Sequence, residues 1–187
     1  MPNQQAIAEA TRQLLEALGE DPDRNGLLAT PERVGRSWVE LTRGYGEDPR
    51  DHLRTVFEVD SDELVVVRDI EFQSLCEHHL LPILGKATVA YLPHQGRVTG
   101  LSKFGRLVEG YARRLQVQER LTVEIADAIE DVLAPRGLAV ILDAEHLCMT
   151  MRGVEKPGAA TITSVFRGDL DSVEGRSELF GLIAMGR

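Results

Sequence analysis

Glu63-Leu64-Val65-Val66-Val67-Arg68-Asp69-Ile70-Glu71-Phe72 and Gly85-Lys86-Ala87-Thr88-Val89-Ala90-Tyr91-Leu92, joined through Cys76-Glu77-His78-His79, decide how the rest of the chain is read. Both runs are rich in β-branched and apolar residues and predict strands. The connection then sets cysteine and histidine on a loop carried by a sheet, where functional groups commonly sit.

Downstream, His146-Leu147-Cys148 completes the pattern, for the two clusters together hold both cysteines and three of the five histidines. Thiolate and imidazole are the donors that zinc prefers, and Cys-x-x-His with a distant Cys supplies three of them. Three protein ligands leave one tetrahedral position for water, the arrangement of a catalytic ion rather than a closed structural one. Adjacency leaves open which of His78 and His79 faces the ion. A disulfide between the cysteines, or two buried thiols without a task, would account for the cysteines but not for the histidines beside them. The opening Met1-Pro2-Asn3-Gln4-Gln5 carries no charged-then-apolar leader, and no apolar run approaches the length of a membrane span. The expected compartment is therefore the reducing cytosol, where a disulfide is the weaker explanation.

Further along, Leu138-Ala139-Val140-Ile141-Leu142 begins a buried strand. Continued through the second cluster, its alternation would put His146, Cys148, Thr150 and Arg152 on one face and Leu147, Met149 and Met151 on the other. Ala159–Phe166 supplies a fourth strand and Ser177–Met185 a short closing helix. Between the second and third strands two helices are expected. Ser102 is placed to cap the first, which carries Lys103 and Arg106 one turn apart; a helix start bearing two cations suits a phosphate group. The second runs from Gln118 to Leu133, with Leu121, Ile125, Ala128, Ile129 and Val132 at helical spacing and Pro135-Arg136-Gly137 to stop it. Glu119 in its first turn is explained well enough as a partner of the helix dipole.

Ahead of the first strand, residues 1–50 read as a helical arm and 51–187 as the catalytic domain. Ile7, Thr11, Leu14, Leu15 and Leu18 mark a first helix over Ala6–Leu18, and Thr30-Pro31-Glu32-Arg33 opens a second with Thr30 as its cap. The chain of 187 residues carries a formal charge of −9. That balance argues against a nucleic-acid or anionic-membrane surface, so a polyanionic ligand must be met by a local basic pocket.

Four segments, Ser74-Leu75-Cys76-Glu77-His78-His79, Gly100-Leu101-Ser102-Lys103, Gln116-Val117-Gln118-Glu119-Arg120-Leu121-Thr122 and His146-Leu147-Cys148-Met149-Thr150-Met151-Arg152-Gly153, resemble the signature segments of GTP cyclohydrolase I, in that family's order. The resemblance spans Thr30 to Phe166. It implies an α+β tunnelling fold, in which antiparallel four-stranded sheets of several subunits join into a barrel, and a homodecamer of two stacked pentamers. It implies conversion of GTP and water to 7,8-dihydroneopterin triphosphate and formate, the first step toward tetrahydrofolate. Zinc would be held by Cys76, His79 and Cys148, leaving His78, His146 and Ser102 as catalytic groups, with His146 protonating the opening ring. Glu119, with Gln118 beside it, would read the guanine edge. Lys103, Arg106 and Arg152, with Arg33 from another subunit, would hold the triphosphate. A metal- or pterin-binding module without catalysis, or a related tunnelling-fold enzyme with another substrate, would not need both non-ligand histidines, the cation set and Glu119 together.

Overall fold

A computed structural model describes residues 1–185; Gly186 and Arg187, the end of the expected catalytic segment, lie outside the described residues. Among the described residues, seven strands form two sheets. Strands β2 (Val65–Cys76), β3 (Pro82–Leu92), β6 (Gly137–His146) and β7 (Ala160–Gly168) lie side by side in that order, and all their pairings are antiparallel. The expected four-stranded antiparallel sheet is therefore present, with one addition. β5 (Leu115–Gln116) adds two parallel pairs to the outer edge of β2 at Leu75 and Cys76, so the sheet is mixed and five-stranded. Two residues are too few for an alternation to be seen in the sequence. β1 (Val56–Glu58) and β4 (Arg97–Thr99) make a separate antiparallel pair.

Beyond its junction with β5, β2 has no strand partner on its outer side, and β7 has none opposite β6, among the described residues. On β7 that edge carries Ile162 at 67% exposure.

Helices α3 (Ser102–Ala112) and α4 (Gln118–Leu133) cover one face of the sheet. Phe104, Leu107, Leu121, Ile125 and Ile129 pack there against Phe72, Ile83, Tyr91, Leu138 and Leu142. Burying each such side chain fully contributes about 1.5–3 kcal/mol, so this layer is the main source of stability. The other face is covered more thinly, by Leu170 and by Leu179 of α6 (Val173–Met185). α6 starts earlier than the expected Ser177, because the Ser172 hydroxyl accepts from the Gly175 amide and caps the helix upstream.

The arm is formed by α1 (Gln4–Ala17) and α2 (Thr30–Leu41). Asn3 caps α1 by accepting from the Ala6 amide. In α2 the cap position falls to Ala29, and Thr30 is already helical because its amide is bound to the Leu27 carbonyl. Ser102 is likewise the first helical residue of α3, not its cap. A turn from Gly100 precedes it, with the Lys103 amide on the Gly100 carbonyl, and Leu101 occupies the cap position. No helix among the described residues is long and apolar enough to cross a membrane.

Candidate metal centre and substrate pocket

The first ligand cluster is the turn of the β2–β3 hairpin. The Leu80 amide binds the Cys76 carbonyl and the Cys76 amide binds the Leu81 carbonyl, both at 2.8 Å, closing the turn around Glu77, His78 and His79. Leu80 adopts φ +57°, a left-handed conformation disfavoured for a side chain of this kind. It reverses the chain tightly enough to bring His79 back beside Cys76. The turn is also held from outside. The Glu77 amide binds the Gln116 carbonyl of β5, and the Glu77 carboxylate accepts from Arg120, which donates as well to the Gln116 side chain and the Leu115 carbonyl. Arg120 keeps Glu77 below the ordinary carboxylate range. Neither partner was marked as functional by the sequence, because a charge pair between a loop and a distant helix leaves no local pattern.

The second cluster departs from the expected strand. β6 ends at His146, and Leu147–Thr150 forms a short helical turn, α5, closed by the Met151 amide on the Leu147 carbonyl. The reason is the neighbours. His146 pairs with Ile83 at the start of β3, and β7 reaches only as far as Glu145, so the backbone beyond has no ladder to join. It satisfies its amides helically instead. Thus His146 and Cys148 do not alternate along one strip with Thr150 and Arg152. The turn brings Cys148 to Cys76.

Cys76, His79 and Cys148 offer one donor atom each within 4.8 Å of one another. Two thiolates bound to one tetrahedral zinc at about 2.3 Å lie about 3.8 Å apart, so the group fits such an ion with small adjustment. His78 is not part of that group. Its Nδ1 lies 3.9 Å from Cys76 Sγ, and its ring stands edge-on to that of His79. Arg152 reaches Nε2 of His79 at 3.3 Å. Burial and the neighbouring Cys76 thiol push Cys148 up from the ordinary thiol range.

His146 is tied to α4. Its Nε2 lies 2.6 Å from Gln118 Oε1. Burial pushes the ring down from the ordinary histidine range, and the charge of Glu119, one residue along α4, opposes the shift. Glu119 itself is exposed. Gln118, expected beside the guanine, is only 1% exposed, and its amide is spent within the protein on β6, β7 and His146. The start of α4, the end of β6 and the hairpin turn therefore gather Cys76, His78, His79, Glu119, His146, Cys148 and Arg152 at one end of the sheet.

Ser102, Lys103, Arg106 and Arg33 are not gathered there. No hydrogen bond or ion pair among the described residues ties their side chains to this group. α3 begins after β4, beyond the far end of β3, and runs back to β5 beside Cys76. Its first turn is about 15 Å of helix away from its ligand-proximal end, at 1.5 Å per residue.

The family model described as GTP cyclohydrolase I matches residues 7–184. The enzyme named GTP cyclohydrolase 1 from Streptococcus agalactiae serotype Ia is 52% identical over 187 residues, covering 100% of both chains. That from Carboxydothermus hydrogenoformans is 55% identical over 98% of this chain and 96% of its own. Among solved structures, the apo archaeosine synthase QueF-Like aligns at 19% identity with a TM-score of 0.49, over 58% of this chain and 97% of that one, a likeness too slight to decide anything.

Proposed function

The chain belongs to the GTP cyclohydrolase I family, and from that premise we propose that it acts as a zinc-dependent GTP cyclohydrolase at the cluster on the end of its sheet. The family's chemistry serves pterin and folate synthesis. For this chain the proposed reaction takes GTP and water to 7,8-dihydroneopterin triphosphate and formate. The observation that carries it is the convergence of Cys76, His79 and Cys148 with His146 and Glu119. A metal-binding module would need the three ligands alone.

Zinc held by Cys76, His79 and Cys148 would supply a Lewis acid that activates water for attack at C8 of the guanine imidazole ring. The chain's own groups do the rest. The Glu119 carboxylate, free at the first turn of α4, accepts from guanine N1–H and the 2-amino group, a donor pair that adenine lacks. His146, beside Glu119 and two residues from a ligand, delivers a proton to the ring nitrogen released as the imidazole opens. His78 and Ser102 assist the ribose as it opens and rearranges. Lys103, Arg106, Arg152 and Arg33 neutralise the triphosphate, so the local field outweighs the net charge of −9.

The position of Lys103 and Arg106 at the remote end of α3 supports a site shared between subunits, in which a neighbour supplies them. Free edges on β2 and β7 support a ring of sheets, since edge-to-edge joining satisfies backbone groups left open in one chain. On this reading the chains form a tunnelling-fold barrel, a homodecamer of two pentamers, with Arg33 coming from the opposite ring. The test is to incubate zinc-loaded protein with GTP and assay formate, and neopterin fluorescence after oxidation. Metal-replete protein that yields neither product overturns the proposal in favour of a binding module.

A further inference from the structure

Gln118 is a buried polar side chain whose amide has protein partners on both its nitrogen and its oxygen. Its Nε2 lies 2.9 Å from the Thr161 carbonyl, 3.2 Å from the Leu142 carbonyl and 3.1 Å from Thr163 Oγ1. Two of these partners are backbone carbonyls, which accept and never donate. The amide therefore has only one tenable orientation, NH2 toward the two strands and Oε1 away from them. Turning it over would set its oxygen against the Leu142 and Thr161 carbonyl oxygens in a buried site and leave both carbonyls without the amide donors, a loss that one hydrogen bond to His146 does not offset. The hydroxyls agree with this direction. Thr122 Oγ1 donates to the backbone carbonyl of Gln118 at 2.7 Å and lies 2.7 Å from Thr163 Oγ1. With the Thr122 proton so committed, Thr163 donates to Thr122, and its own oxygen is left to accept from Gln118.

The oxygen that remains, Oε1, faces His146 Nε2 at 2.6 Å. An oxygen acceptor demands a proton on its partner, so Nε2 carries hydrogen whether His146 is neutral or charged. Nδ1 has no protein partner among the described residues. We infer that Gln118 is a positioning residue which locks neutral His146 as the Nε2–H tautomer and so confines its proton exchange with the substrate to Nδ1. This rests on the reading of His146 as the proton donor in ring opening. Nδ1 of the neutral ring is bare, so it first takes the proton released by the water that adds at C8 and then passes that proton to the ring nitrogen as its bond to C8 breaks. The electron pair of that bond goes to the nitrogen, and the Nε2 proton never leaves Gln118. The lock reaches back through Leu142 and Thr161 to the pairing of β6 with β7, so the reactive tautomer is set by the sheet.

The direct test is neutron diffraction from crystals of the deuterated, zinc-loaded protein. Deuterium on Nε2 of His146, with the Gln118 amide deuterons toward Thr161 and Leu142, is expected; an Nε2 without deuterium overturns the inference. Kinetics supply a second arm. Gln118→Met keeps the length but releases the ring, and should lower kcat for GTP by at least about 10-fold while KM moves less than about 2-fold, because the Gln118 amide is committed to β6, β7 and His146. Thr163→Val removes one partner and leaves both carbonyls, so its kcat should stay within about 3-fold of the parent. A KM rise that accounts for the whole loss in Gln118→Met, or an equal kcat loss in Thr163→Val, would reduce Gln118 to a substrate contact or a tie between strands. If Gln118→Met fails to fold, the neutron map decides alone. If the parent releases no formate from GTP, the functional reading falls, and the deuterium on Nε2 still reports on the lock.

Discussion

Cys148 and His146 stand two residues apart, yet the turn between them gives them separate neighbours: Cys148 meets Cys76, while His146 is held by Gln118. Cys148→Ser should therefore lose most bound zinc along with turnover, whereas His146→Ala should keep the metal and lose turnover by about 100-fold or more. Metal analysis of the two purified variants separates the roles, and equal zinc loss would merge them. Glu119 makes a different prediction. Replacing an acceptor-only carboxylate with an amide turns a donor toward the guanine donors, so Glu119→Gln should cost about 2–4 kcal/mol in kcat/KM for GTP. Turnover near the parent level would return Glu119 to the helix dipole. At this scale the sequence was informative about the cysteine and histidine group and silent about how it gathers. Cys-x-x-His and His-x-Cys are local spacings that survive any fold. The resemblance places Gln118 at the guanine edge, and its burial was not legible beside that, since it depends on β6 and β7 more than twenty residues away.

α4 runs from Gln118 to Leu133, the bounds read from its apolar spacing and from the Pro135-Arg136-Gly137 stop. Local signals suffice when an element is long, periodic and punctuated. The end of β6 was not legible for the opposite reason. Alternation continues past His146 in the sequence, but a strand ends where its partners end, and the start of β3 at Pro82 is a tertiary fact. The same distinction governs stability. Ile125, fully buried on α4 under the sheet, has no room to relax, so Ile125→Ala should destabilise the fold by about 2–5 kcal/mol in denaturant melts. Arg120→Ala acts on an exposed pair and should cost less than about 1 kcal/mol of stability. Its effect belongs to the hairpin turn: zinc retention in a chelator titration should weaken while the melt barely moves. An unchanged chelator midpoint would show that the turn does not need its outer clamp.

At the scale of the whole molecule, the ligands lie at one end of the sheet and Lys103 and Arg106 at the far end of α3. If each pocket is completed by a neighbour, a Cys148→Ser chain and a Lys103→Ala/Arg106→Ala chain, each inactive alone, should regain part of the parent activity when unfolded and reassembled together. Formate release from the mixture measures it, and a mixture no more active than its components would refute sharing. The free edges point the same way. Strand β7 is the last long strand to leave the ribosome, and it emerges with one side of its backbone unpaired and Ile162 uppermost. Such an edge makes no distinction between a sister chain and any other extended segment. On the proposed barrel, subunit concentration becomes a condition of survival: each new chain would have to find its own kind before something else completes its ladder. Sparse synthesis exposes that interval longest, and co-expression from one message, where sister chains are released close together, shortens it.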